Sequence, residues 1–334
     1  MSKSPSDSPT MATIAQLAGV SQITVSRALR GSDLVRPELR ARIVEVARQA
    51  GYRMNVAARS LRTRRSQIIA VVTERLIAGD RPVSDPLIMQ LIGGLLEVLT
   101  PADYAVLLTT GDHFLGSRAA GADAVIMLGQ GEGGHLARAV ASSGLPMIVW
   151  GAPVPNGPAA VIGSDNRQGG RLAAEHMVET GRRRILFLGD AGHPEIAARL
   201  DGVREVLATR EAALVANLSC SFSRAGGSEA VRQALDDGIA FDAVIAASDY
   251  IAAGVCDTLI EHGIAIPQAV AVIGFDDIPV AANHRPPISS IRQDLERAGR
   301  ALGEAILGIL ADPMGATDFA PLPVELIARE TTAR

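Results

Sequence analysis

Gln22, Ile23, Ser26 and Arg27 fall on one side of a short amphipathic stretch, and their types suit contact with the edges of bases. Glutamine can pair with adenine, isoleucine can pack on a thymine methyl, and arginine and serine can reach base edges or phosphates. The stretch that carries them, residues 13–31, spells two short helices joined by a glycine. Thr13 is placed to cap the first helix with Gln16 reaching back, while Ile14, Leu17 and Ala18 supply its buried stripe. Gly19 is the turn and Ser21 the second N-cap, and Val25, Ala28 and Leu29 face the first helix. This is the pattern of a helix-turn-helix, whose second helix enters the major groove. The candidate contact set is Thr13, Ser21, Gln22, Ile23, Thr24, Ser26 and Arg27. The same spacing would also serve a plain helical hairpin in a core.

Charge separates the two readings. A third helix is expected over 36–50, and residues 11–65 hold eleven arginines against Asp33, Glu38 and Glu45, a net of +8. Residues 66–334 hold 20 basic and 32 acidic side chains. A phosphate backbone selects such a concentrated positive surface, and counterion release makes the binding salt-dependent.

With 334 residues, 48% of them apolar, the chain is long enough for two to three domains with packed cores at ~150 residues each. The most apolar long window, 243–260, is broken by Asp249 and Asp257, so no segment reaches the ~18 uninterrupted apolar residues of a membrane span. The first ten residues carry no apolar leader and read as a disordered tail, which implies a cytoplasmic protein. Cys220 and Cys256 are far apart and read as reduced, structural thiols. No metal-ligand spacing and no cofactor site is expected.

Residues 53–65, Arg-Met-Asn-Val-Ala-Ala-Arg-Ser-Leu-Arg-Thr-Arg-Arg, join this basic head to the first apolar run at Ile68. Asn55 can cap a helix of about two turns, which on its own is too short to persist in water. It needs a partner or a DNA groove.

Thr-Val-Ser-Arg in the second helix, Gly-Tyr-x-x-Asn-x-x-Ala-Arg-x-Leu in the linker and the region that follows resemble the LacI family of bacterial transcriptional regulators, over about 11–330. The head looks closest to gluconate-repressor-like members. The resemblance implies a homodimer or tetramer on a pseudo-palindromic operator, with paired linker helices in the minor groove. Asn55, Ala58, Arg59 and Leu61 would act there, Leu61 wedging between base steps. Unstacking costs a few kcal/mol, offset by the contacts that bending permits. Gln22 and Ile23 depart from the small residues commonest at their positions.

From 67 onward, short aliphatic runs at 68–72, 104–108, 124–128, 147–150, 184–188, 243–247 and 270–274 alternate with amphipathic runs at 86–99, 132–143, 167–180, 194–209, 224–237 and 249–262. Alternation of this kind gives an α/β fold with parallel sheets, whose ligands bind beyond the carboxyl ends of the strands. The resemblance adds two Rossmann-like lobes, as in periplasmic sugar-binding proteins, with crossovers near 164, 290 and 322 and a ligand between them. The expected organisation is a disordered tail (1–10), an all-α helix-turn-helix head (11–54), a hinge helix and linker (55–66) and a two-lobed effector-binding and dimerisation domain (67–334).

By the same resemblance Arg199 grips an oxygen-rich effector such as a sugar or sugar acid, its guanidinium offering five donors. Asp276 would accept sugar hydroxyls, Ser248 would touch ligand while Asp249 caps a helix, and Phe222 would pack on a ring face. Asp165 and His193 complete the set. The effector would release the operator, or alternatively strengthen the grip. Two departures stand out: the connection between Thr109 and Ala124 is short, implying a reduced helix, and Trp150 stands where an acidic residue is common.

An enzyme is the rival class, because Gly129-x-Gly131-x-x-Gly134 follows a strand and opens a helix as a dinucleotide fingerprint does. Yet 135–164 contain no Asp or Glu to meet a ribose, so a glycine turn is the better account. Replacing Leu61 by Ala is expected to weaken specific operator binding far more than non-specific binding in parallel titrations at one salt concentration; equal losses would contradict the wedge.

Overall fold

The computed structural model describes residues 9–29, 31–52, 65–73, 85–116, 121–158, 160–315 and 318–333. The chain divides into two compact units, 1–66 and 67–334.

In the first unit, α1 (Met11–Ala18), α2 (Gln22–Leu29) and α3 (Pro37–Gln49) enclose a core of Ile14, Ala18, Val25, Ala28, Val35, Ile43 and Ala47. Thr10, not Thr13, is the first cap. Its hydroxyl accepts the Thr13 N–H at 3.3 Å, and the Thr13 hydroxyl accepts the Thr10 N–H at 3.2 Å. The two threonines form the reciprocal pair that a capping box requires. Leu17, expected in the buried stripe, is 59% exposed; Ala15 takes its place, so the packing face is rotated by one residue. Gly19 turns the chain with φ +65°, in the left-handed region that a side chain resists. From α3, Arg42 donates to the Ala18 carbonyl at 3.0 Å, satisfying an end of α1 that α1 itself leaves open.

The second unit holds two sheets. The first has strand order β2-β1-β3-β4-β5 and is parallel throughout, with β1 Ile68–Thr73, β2 Ala105–Thr110, β3 Ala124–Leu128, β4 Met147–Trp150 and β5 Val161–Ile162. The second runs β11-β10-β9-β8-β6-β7, with β6 Arg184–Leu188, β7 Ala213–Leu218, β8 Ala243–Ala246, β9 Ala271–Asp276, β10 Ser289–Gln293 and β11 Val324–Ile327. Only β11 is antiparallel to its neighbour. Strands β3 and β8 are buried end to end, as expected of strands covered on both faces.

One core of the first lobe lies under α4 (Pro86–Leu99) and α12 (Leu295–Ala311); Leu91, Leu95, Ile126, Trp150 and Leu302 meet there. The other lies under α5 (Gly111–Gly116) and α6 (His135–Ala141). The short β2–β3 connection holds α5, a helix of six residues. In the second lobe α7 (Asn166–Glu179), α8 (Pro194–Leu207), α9 (Arg224–Asp236), α10 (Asp249–Glu261) and α11 (Pro279–Asn283) cover the sheet. Helices α4 and α12 approach so closely that a Cβ on Gly94 would stand 2.1 Å from the Glu296 carbonyl oxygen. No described helix is long and apolar enough to cross a membrane.

The chain passes between the lobes three times. It leaves β5 through 163–165, returns after β10 at Asp294 to start α12, and crosses again through 318–324. The first and last crossings are zipped together, the Leu322 N–H to the Gly163 carbonyl and the Asp165 N–H to the Leu322 carbonyl, both at 2.8 Å. Carboxyl ends of both sheets therefore converge on the cleft between the lobes.

Candidate nucleic-acid interface and effector cleft

On the head, the Ser21 hydroxyl accepts the Thr24 N–H at 3.1 Å and meets the Thr24 hydroxyl at 2.9 Å, which fixes the start of α2. With Val25 and Ala28 buried, the opposite side of α2 presents Gln22, Ile23 and Arg27, and Ile23 is 65% exposed. Ser26 and Thr24 are half-buried, and Thr13 and Ser21 are exposed. Among the other cations, Arg48 is bound to Glu45 at 2.6–2.8 Å, and that pairing draws the Glu45 carboxyl down to about 2. Asn55, Ala58, Arg59 and Leu61 lie outside the described residues.

In the second unit Arg199 is 7% exposed rather than a surface residue of α8. Its Nε donates to Asn166 Oδ1 at 2.8 Å, its Nη1 donates to the Ala247 carbonyl, and its guanidinium lies over the Phe275 ring at 3.5 Å from the centroid. Asn166 starts α7 at the first crossing, Ala247 follows β8, and Phe275 is the last residue but one of β9. The cation is thus held at the carboxyl edge of the sheet by three elements. Beside Phe275, Asp276 is buried with φ +106°, and its carboxylate accepts from Gln293 Nε2 at 2.6 Å. Asp277 follows at φ +57°, and its carboxylate accepts from Arg292 at 2.8 Å and Arg329 at 2.6 Å. Two consecutive non-glycine residues in the left-handed region are strained, and such strain gathers where a side chain must be aimed.

The helix cap expected of Asp249 is supplied by Ser248. The buried Ser248 hydroxyl caps α10 by accepting the Ile251 N–H at 3.3 Å. Asp249, with no exposure, accepts the Ser290 hydroxyl at 2.6 Å and the Ile278 N–H at 2.8 Å, so it holds the turn that presents Asp276. Sequence favoured Asp249 as the cap because serine and aspartate cap equally well and only the register of β8 decides between them. Asp165 likewise caps α7 through the Gln168 N–H at 2.9 Å, and its neighbour Asn166 is the one that reaches Arg199. His193 and Phe222 stand together, edge to face with centroids 5.3 Å apart, and His193 Nδ1 lies 3.3 Å from Asp190. Trp150 is buried in the first lobe's core and plugs it.

Asn166, Phe275 and Gln293 are participants to which the sequence assigns no role, and Asp249 takes part through the turn after β9 rather than as a cap. A signal was there for two of them: Asn166 and Gln293 are polar residues at the crossings, positions where a chain leaving one sheet has no packing need for an amide.

The model of bacterial regulatory proteins of the lacI family matches residues 10–55, and that of a periplasmic binding protein-like domain matches 174–332. The regulator CelR of Thermobifida fusca is 33% identical over 316 residues, covering 90% of this chain and 91% of CelR. The regulator GntR of Pseudomonas aeruginosa is 29% identical over 338 residues, covering 97% of this chain and 96% of its own. Among solved structures, the CelR–cellobiose complex has a TM-score of 0.71 at 28% identity, covering 97% of this chain and 99% of the other. The Lac repressor dimer bound to operator and the anti-inducer ONPF has a TM-score of 0.83 at 22% identity, covering 98% and 99%, which shows a shared fold.

A helix-turn-helix head followed by a two-lobed α/β unit defines a DNA-binding transcriptional regulator rather than an enzyme. The chain belongs to the LacI family. Gly129, Gly131 and Gly134 all have positive φ, so the glycines that mimic a dinucleotide fingerprint make a turn.

Burial and the neighbouring Asp276 push the Asp249 carboxyl well above the usual carboxylate range. A carboxyl raised in the folded state contributes stability below the unfolded value and loses it as pH rises. Asp249→Asn cannot ionise, so between about pH 4 and pH 8 its unfolding free energy is expected to fall less steeply than that of the wild type in urea titrations. Parallel curves would contradict a raised Asp249.

Proposed function

We propose that the chain is a repressor that binds a pseudo-palindromic operator as a homodimer in the cytoplasm. Its head (11–54) reads the site, its linker (55–66) engages the minor groove, and its two lobes (67–334) hold a sugar or sugar-acid effector. The observation that carries the effector reading is the meeting of Arg199, Phe275 and Asp276 at the carboxyl edge of β8 and β9. There a buried cation, a buried carboxylate and an aromatic ring share one sheet edge, the combination that fixes hydroxyl groups on a compact polar ligand. The similar CelR structure is a complex with cellobiose, which supports a sugar.

Control of DNA follows from linkage. An effector shifts operator affinity only by its differential binding to two arrangements of the lobes, typically 1–3 kcal/mol or roughly 5 to 150-fold. The proposed direction is release.

Thermal-shift titration with cellobiose, D-ribose and D-gluconate tests the site. Arg199→Ala is expected to abolish the stabilisation that any of these gives the wild type, while the variant still retains duplex DNA on a gel. Stabilisation of equal size at equal concentration in the variant would overturn the placement.

A further inference from the structure

Away from the three crossings, the lobes are joined by a small group of hydrogen bonds built around one carboxylate. Glu195, in the first turn of α8 in the second lobe, points its Oε1 at the first lobe. That oxygen accepts from Gln130 Nε2 at 3.2 Å and from the Ala152 N–H at 3.3 Å. Gln130 Nε2 also donates to the Ala152 carbonyl at 2.5 Å, which ties the loop after β3 to the loop after β4. Nearby, the Gly133 N–H donates to the Gly192 carbonyl at 2.9 Å, a second bond between the lobes that involves no side chain.

Sequence and backbone make room for this contact. A Cβ on Gly151 would stand 2.5 Å from both Glu195 Oε1 and Gln130 Nε2. Gly151 has an ordinary backbone conformation, so the space, not the φ angle, calls for glycine.

The contact also carries a flaw. Gln130 is 1% exposed, and its Oε1 has no hydrogen-bond partner among the described residues. Turning the amide over would not help, because both neighbours of Nε2 are oxygen acceptors. A buried amide oxygen without a donor opposes the state that buries it. The charge-assisted bonds to Glu195 favour closure, and the orphaned oxygen disfavours it.

We propose that Glu195, Gln130 and Ala152 form a clasp that sets how far the two lobes close, poised by the unsatisfied oxygen of Gln130. Opening hydrates that oxygen and frees the Glu195 carboxylate, so the clasp holds the lobes together without locking them. Its regulatory meaning rests on the reading of the cleft as the effector site. The clasp itself is made of this chain's own residues and is tested without added effector.

Amide hydrogen exchange on the full chain, followed by mass spectrometry without ligand, reads the clasp through Gly133. Its bond to Gly192 spans the lobes, and none of the substitutions alters either residue. Glu195→Ala removes the acceptor from one lobe, and Gly151→Ala pushes the clasp apart from the other. Both are expected to speed exchange at 129–134 by about tenfold or more, with β3 and β6 as protected as in the wild type. Glu195→Gln keeps an acceptor oxygen without the charge and is expected to fall between. Unchanged exchange at 129–134 in Glu195→Ala and Gly151→Ala, with β3 and β6 intact, would overturn the clasp whatever the cleft binds.

Discussion

Everything in the larger unit depends on the chain crossing between its two sheets three times, at 163–165, at Asp294 and at 318–324. Because α12 returns from the second lobe to pack on α4 of the first, neither lobe is complete without the other's chain segment. Three short strands are a weak restraint on rotation but a firm one on separation. The lobes can therefore change their angle while each core stays closed. Polar groups are placed along the same crossings: Asn166 begins α7 and holds Arg199, and Gln293 ends β10 and holds Asp276. A change in the crossing backbone is thus felt directly by the residues proposed to touch effector. This is the physical link between the second-lobe edge and the angle between the lobes.

The second-lobe edge shows how much structure stands behind one buried carboxylate, that of Asp276. Asp276 is aimed by a turn that contains no glycine although two of its residues have positive φ. That turn is held by Asp249, Ser290, Arg292 and Arg329, which come from α10, β10 and the C-terminal segment. Gly274 is required behind it, since a Cβ there would come within 2.3 Å of Asp249 Oδ1. Most of the polar residues in this region therefore serve geometry rather than the ligand.

That division explains what was legible in the sequence. Helix-turn-helix, alternation and strand runs were readable because they depend on local period: 86–99 begins and ends where the periodicity says, as do 124–128 and 147–150. Thr13 and Leu17 are the residues misplaced by the sequence, because a cap shifted by one turn rotates the buried stripe and the spacing of apolar residues allows both settings. Strands β7 and β10 gave little signal: β7 is a half-exposed edge, and β10 is Ser-Ser-Ile-Arg-Gln, polar in sequence yet mostly buried. Its serines are inside because they bond to Asp249 and to the C-terminal threonines, partners 40 or so residues away. Likewise Arg199 was assigned by resemblance, whereas its burial and its hold on Asn166 and Ala247 are tertiary facts. No local pattern announces them. The charge segregation of the head, by contrast, is compositional and needs no structure to be read.

The head is proposed to read a two-fold DNA site, and a small polar molecule bound between the lobes to alter that reading. Selection from a pool of random duplex DNA, with the full chain as bait and the enriched fragments sequenced, tests it most directly when run with and without cellobiose, D-ribose and D-gluconate. A pseudo-palindromic sequence is expected to be enriched, with its recovery reduced by at least one of the three compounds. Enrichment of no sequence, or a pseudo-palindrome whose recovery none of the three alters, would contradict the proposal.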